Sequence, residues 1–107
     1  MIEYHYEKEA GLLTCVFSGK MDFTRSREAR LELENKVGTL LTERGDTEHA
    51  KSDLQIVFDL GGVDYFASEF LRAYLALARR VKPGHLTIRN ASENLKKILD
   101  MAGLHST

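Results

Sequence analysis

The chain reads as an α/β domain on a mixed four-stranded β-sheet, in the order β-β-α-β-α-β-α, with helices packed mainly on one face. Three observations predict it. Two strand patterns follow one another at the N-terminus with only a short turn between them. The apolar run Leu54 to Leu60 has a polar stretch before it and Gly61-Gly62 after it, as befits a buried strand. Beyond that run, helical and strand periodicities alternate to the end of the chain, which calls for helices laid against a sheet.

Ile2, Tyr4 and Tyr6 alternate with Glu3, His5 and Glu7, a period of two that gives a strand one wet face. A turn at Glu9-Ala10-Gly11 leads into a second strand, Leu12 to Phe17, apolar on both faces and so nearer the sheet centre. Gly19 ends it, and the short spacing predicts an antiparallel hairpin. Asp22 or Thr24 supplies the cap of the first helix, whose Ala29, Leu33, Val37, Leu40 and Leu41 recur at intervals of three and four. Thr42 to Asp53 is polar and reads as a long solvated loop. In the third strand, Leu54 to Leu60, residues Ile56, Val57 and Phe58 point to burial on both faces.

The spacing predicts a second helix from Ser68 to Val81, with Leu71, Tyr74, Leu75 and Ala78 turned inward and Arg72, Arg79 and Arg80 outside. Pro83-Gly84 breaks the chain before a fourth strand, His85 to Arg89. Asn90, with Glu93 three residues on, has the layout of a capping box for the last helix. Leu95, Ile98, Leu99 and Ala102 form its apolar stripe, and Gly103 stands where a C-terminal cap belongs.

Composition narrows the function. The 107 residues fit one domain, 1–107, able to bury about 65% of its unfolded surface without disulfides or metals. A net charge of −1, with no basic stripe, lacks the electrostatic footprint of a nucleic-acid binder. No apolar run approaches the ~20 residues of a membrane span, and the N-terminus has no signal-peptide core. Cys15 stands alone, which suits a reducing compartment, so a cytoplasmic location is expected.

Candidate chemistry is sparse. His5, His49, His85 and His105 are scattered with no metal-ligand spacing, so neither a metal nor a cofactor is expected. Gly61-Gly62 lacks the continuation of a phosphate loop and reads as a tight turn at a strand end. Cys15 has the apolar neighbours of a small core residue. A serine-based hydrolase could be assembled on paper from Ser68, a histidine and Asp64, but no nucleophile elbow surrounds the serine. A non-enzymatic protein is therefore expected. Ser68 itself opens a helix, where unpaired N–H groups and the positive dipole end favour a hydroxyl cap or an added phosphate.

Three segments together resemble the STAS domain, the fold of bacterial anti-sigma-factor antagonists. Gly19-Lys20-Met21-Asp22 is similar to the end of the family's second strand. Asp59, Leu60, Val63, Tyr65 and Phe66 are similar to its third strand and following loop. Ile88 to Glu93, with Leu95, Ile98, Leu99 and Ala102-Gly103-Leu104, resembles its closing helix. Phosphorylated members read Asp-Ser-Ser/Thr-Gly where this chain has Ala67-Ser68-Glu69-Phe70, so the acceptor position is retained as Ser68 while its neighbours change. Glu69 would stand beside a phosphate and repel it, and Phe70 replaces a residue with no side chain.

The resemblance implies a protein-interaction module that docks on a kinase-type anti-sigma factor in a partner-switching circuit, regulated by phosphorylation of Ser68. Its implied partner-binding residues are Asp22, Asp64, Tyr65, Phe66, Ser68, Glu69, Phe70 and Arg72. Tyr65, Phe66 and Phe70 serve as anchors if exposed and as core if not. The rival is a non-phosphorylated regulatory subunit that holds a transporter or other signalling complex constitutively. Family members commonly continue past the helix-Gly-Leu ending into a further strand and helix, which predicts a bare edge or face here and a possible homodimer.

Overall fold

The computed structural model describes residues 2–47 and 49–101. They form β1 (Ile2–Glu7), β2 (Leu12–Ser18), α1 (Phe23–Glu43), β3 (Gln55–Gly62), α2 (Ser68–Ala78), β4 (Leu86–Arg89) and α3 (Glu93–Met101). The sheet runs β1-β2-β3-β4, with β1 antiparallel to β2 and the pairs β2/β3 and β3/β4 parallel. A sheet that grows in one direction through right-handed crossovers sends both connecting helices to the same face. Accordingly the residues of one face, Leu13, Cys15, Phe17, Ile56, Phe58, Leu60, Leu86 and Ile88, are buried in one cluster with the apolar stripes of the three helices. The predicted mixed sheet and helix arrangement are thus what the chain adopts.

The hairpin, the apolar stripe of α1 and its Asp22 cap follow the sequence reading, with Asp22 Oδ1 accepting from the Arg25 N–H at 3.0 Å. Other details differ. The second face of β3 is not covered: Val57 is half-buried and flanked by Thr14 and Thr87, while alternate residues fill the core. Gly61-Gly62 continues β3 rather than turning. A Cβ on Gly62 would meet the Phe17 carbonyl oxygen at 3.0 Å, so glycine is needed there for the close approach of β2 and β3. The register of those strands shifts between Val16 and Ser18, next to this contact.

The polar stretch after α1 is partly built into the fold. Thr42 and Glu43 belong to α1, and Ser52 is buried, donating to Asp46 and accepting from the Leu54 N–H. Main-chain bonds join Ser52 to Arg80 and Lys82, satisfying a strand-like pair beside β3. The inward face of α2 is also turned by one residue. Phe70, Ala73, Tyr74 and Leu77 are buried, Leu71 and Ala78 are half-buried, and Leu75 is 41% exposed. The helix is apolar on most sides, so periodicity leaves two registers open. Phe70 settles it by packing edge-on against Phe17 and stacking on Phe66, at centroid distances of 5.2 and 5.0 Å. At the last helix Ser92, not Asn90, supplies the cap, accepting from the Leu95 N–H at 3.2 Å. Ala102 and Gly103 lie outside the described residues.

Candidate functional site

The segment Val63 to Phe70 crosses from the end of β3 to the first turn of α2. It is held on both sides. Val63 is buried and donates to the Leu60 carbonyl at 3.1 Å. Met21 donates to the Tyr65 carbonyl at 3.0 Å and accepts from the Ala67 N–H at 2.7 Å, forming a parallel bridge between Met21 and Phe66. The Met21 carbonyl also accepts from the buried Ser26 hydroxyl at 2.7 Å, which ties the bridge to α1. The bridge brings Asp22, the residue next to Met21, beside this segment.

Phe66 and Phe70 take the core alternative, so neither of those two rings is open to a partner. Tyr65 is 49% exposed, and Asp64, Ser68 and Arg72 are exposed with it. Ser68 does not cap the helix. The capping position is Ala67, which has no side-chain oxygen, and its carbonyl accepts from the Phe70 N–H at 2.9 Å. Burial of Phe66 and Phe70 on either side fixes where the helix starts, so the cap is dispensable. Ser68 is then the first helical residue, and its hydroxyl makes no hydrogen bond to the described residues.

Glu69 is largely covered. Its carboxylate lies 3.7 Å from Arg30 Nη1 and 3.6 Å from Arg72 Nε, so two guanidinium groups share its charge. The expected repulsion between Glu69 and a group on Ser68 is correspondingly reduced.

A second polar cluster sits at the same end of β3, and sequence reasoning missed it. Asp59 accepts from the Gly61 N–H at 3.0 Å, from Arg89 Nη2 at 3.2 Å and from Asn90 Nδ2 at 3.3 Å. The Gly61 bond, then those of Asn90 and Arg89, hold the carboxyl below the usual aspartate range despite its partial burial. Asn90 adopts φ 62°, a left-handed conformation that asparagine tolerates better than most residues. The parallel register that sets Asp59 beside Arg89 could have suggested the pair once β3 and β4 were recognised as neighbours.

No three histidine, cysteine or acidic side chains gather as metal ligands among the described residues. Burial pushes the Cys15 thiol up to about 12, which suppresses the thiolate. No described helix is long and apolar enough to cross a membrane.

No protein-family profile and no curated protein matches the sequence. Solved structures do match. The anti-sigma factor antagonist SpoIIAA in its unphosphorylated form superposes with a TM-score of 0.67 at 13% identity, over 100% of this chain and 87% of that one. The Bacillus cell fate determinant SpoIIAA in the phosphorylated form gives 0.65 at 14% identity, over 97% of this chain and 85% of that one. The chain has the STAS fold of SpoIIAA.

Proposed function

We propose that this chain is a non-enzymatic regulatory module of the anti-sigma-factor-antagonist type, which docks on a kinase-type anti-sigma factor through the segment around Ser68. The observation that carries the reading is the Ser68 hydroxyl, exposed and without a hydrogen bond among the described residues, at the first position of α2 on a segment held by the Met21 bridge. Asp64, Tyr65 and Arg72 around it form a rim of mixed charge with one aromatic side chain, suited to a protein partner. Asp22 extends the rim from α1, and Glu69 orders it from beneath through Arg72.

A phosphate on Ser68 would add up to about −2 charge at the helix N-terminus, where the dipole tolerates it, and would place that charge at the centre of the rim. A partner complementary to the neutral hydroxyl would then face desolvation and repulsion. The match to both SpoIIAA forms supports a switch of this kind, worked by surface charge on an unchanged fold. A cytoplasmic setting goes with the reading.

The Glu69 ion pairs favour a second reading, in which the rim is constitutively ordered and the module is a permanent subunit of a transporter or other signalling complex. Incubation with ATP and a purified candidate anti-sigma kinase separates the two. Under the first reading mass spectrometry finds one phosphate, Ser68→Ala abolishes it, and Ser68→Glu releases the partner. A kinase that binds the chain but leaves it unmodified sinks the switch and supports the second reading.

A further inference from the structure

The outer groove between α1 and α2 collects arginines that the folded chain does not fully use. Arg30, Arg72, Leu75, Ala76 and Arg79 line a cavity of about 190 Å³ there. Arg30 Nε is buried without a hydrogen-bond partner among the described residues, and its nearest carboxylate oxygen, on Glu34, is 3.8 Å away. Arg30 and Arg72 meet Glu69 only at 3.7 and 3.6 Å, as ion pairs rather than as hydrogen bonds. The Arg79 guanidinium has no ion-pair or hydrogen-bond partner among the described residues. Three guanidinium groups thus face one groove with most of their N–H donors unspent, in a chain whose net charge is −1. Arg72 and Arg79 are exposed, so their unspent N–H groups are within reach of a carboxylate supplied from outside.

The geometry points to this groove as the docking site of an acidic amphipathic helix on a protein partner, a contact that shares Arg72 with the Ser68 rim and runs from there along α2 to Arg79. The charge calls for carboxylates, and guanidinium groups take carboxylates in pairs of parallel hydrogen bonds. The apolar element selects the class. Leu75 is 41% exposed on the groove wall beside Ala76, a surface that a free phosphate or a nucleic-acid backbone would leave uncovered. A helix carrying glutamates on one edge and a leucine beside them covers Leu75 and meets the arginines together.

The test titrates the isotope-labelled full chain with a blocked synthetic peptide bearing glutamate and leucine at helical spacing, followed by amide NMR. Saturable shifts are expected at Arg30, Arg72, Ala76 and Arg79, and raised salt should weaken them. The variant Arg79→Glu should lose about tenfold in affinity and gain affinity for the lysine counterpart of the peptide. Arg79 is exposed, so an unchanged melting curve is expected and certifies the variant. Unmoved groove amides, or undiminished binding by Arg79→Glu, would overturn the inference. So would tighter binding of anionic lipid vesicles or single-stranded DNA at the same amides. Arg79→Glu keeps Ser68 and its rim of Asp64, Tyr65 and Arg72, so phosphorylation can succeed or fail independently of this outcome.

Discussion

Met21 and Phe66 face each other across a parallel bridge, with the Met21 carbonyl accepting from Ala67 at 2.7 Å and its N–H donating to Tyr65 at 3.0 Å. Through that pair the start of α1 and the start of α2 share one anchor, so the Ser68 segment is presented in a fixed conformation. Preorganisation of this kind lowers the ordering cost a partner must meet.

Truncation of α2 should distinguish its true inner face. Phe70→Ala removes a ring that touches Phe17, Phe58 and Phe66 and should cost about 3–5 kcal/mol in denaturant unfolding. Leu75→Ala, on the exposed side, should cost less than about 1 kcal/mol. Equal losses would mean that the helix sits in the other register.

Asp22→Ala should lower stability by about 1 kcal/mol, because it leaves the Arg25 N–H without its acceptor. Ser68→Ala should leave stability within about 0.5 kcal/mol, since its hydroxyl bonds to nothing among the described residues. Urea midpoints at matched m-values check both.

Two glycines should respond in opposite directions to alanine. Gly62→Ala forces a methyl group to 3.0 Å from the Phe17 carbonyl and should destabilise by about 1–3 kcal/mol. Gly38 lies inside α1, and a methyl group added there would have nothing within 4 Å, so Gly38→Ala should stabilise by about 0.5–1 kcal/mol. Thermal unfolding of the pair reads the difference in sign.

Asp59 sets a pH dependence. Its carboxyl titrates below the ordinary value in the folded chain, so the unfolded chain takes up the proton first as pH falls. The stabilisation is complete above the ordinary aspartate range near pH ~4 and is lost as pH falls through the lower folded value. Melting temperatures of the wild type and of Asp59→Asn should therefore differ at neutral pH and converge on acidification. A constant gap would mean that Asp59 gains nothing from its charge.

Where one physical preference acts alone, the sequence is readable. The alternation in β1, the stripe of α1 and the cap at Asp22 each follow from local spacing. Where two solutions are equally local, it is not. Either Asn90 or Ser92 can cap α3, and Asn90 is claimed by Asp59, a residue 31 positions away. Leu71 and Leu75 match a helical stripe as well as Phe70 and Leu77 do, and only the aromatic cluster on the sheet decides between them. Ser52 reads as solvated because its main-chain partners, Arg80 and Lys82, come from a distant segment after α2. At the Ser68 site the sequence leaves open which of Tyr65, Phe66 and Phe70 are exposed, and it does not show Arg30 drawing in Glu69, since Arg30 belongs to another helix.

The parallel pairing of β2 with β3 has a kinetic side. Leu13 and Ile56 are register partners 43 residues apart, and all of α1 lies between them. Their contact closes a large loop before the core repays the lost chain entropy, whereas the β1–β2 hairpin needs only a tight turn. A nascent chain can thus hold its first two strands together while the remaining edge of β2 stays unpaired until β3 emerges. During that interval the backbone of Leu13, Cys15 and Phe17 is a template for any stray strand, which makes this crossover the point at which synthesis is most exposed to misassembly.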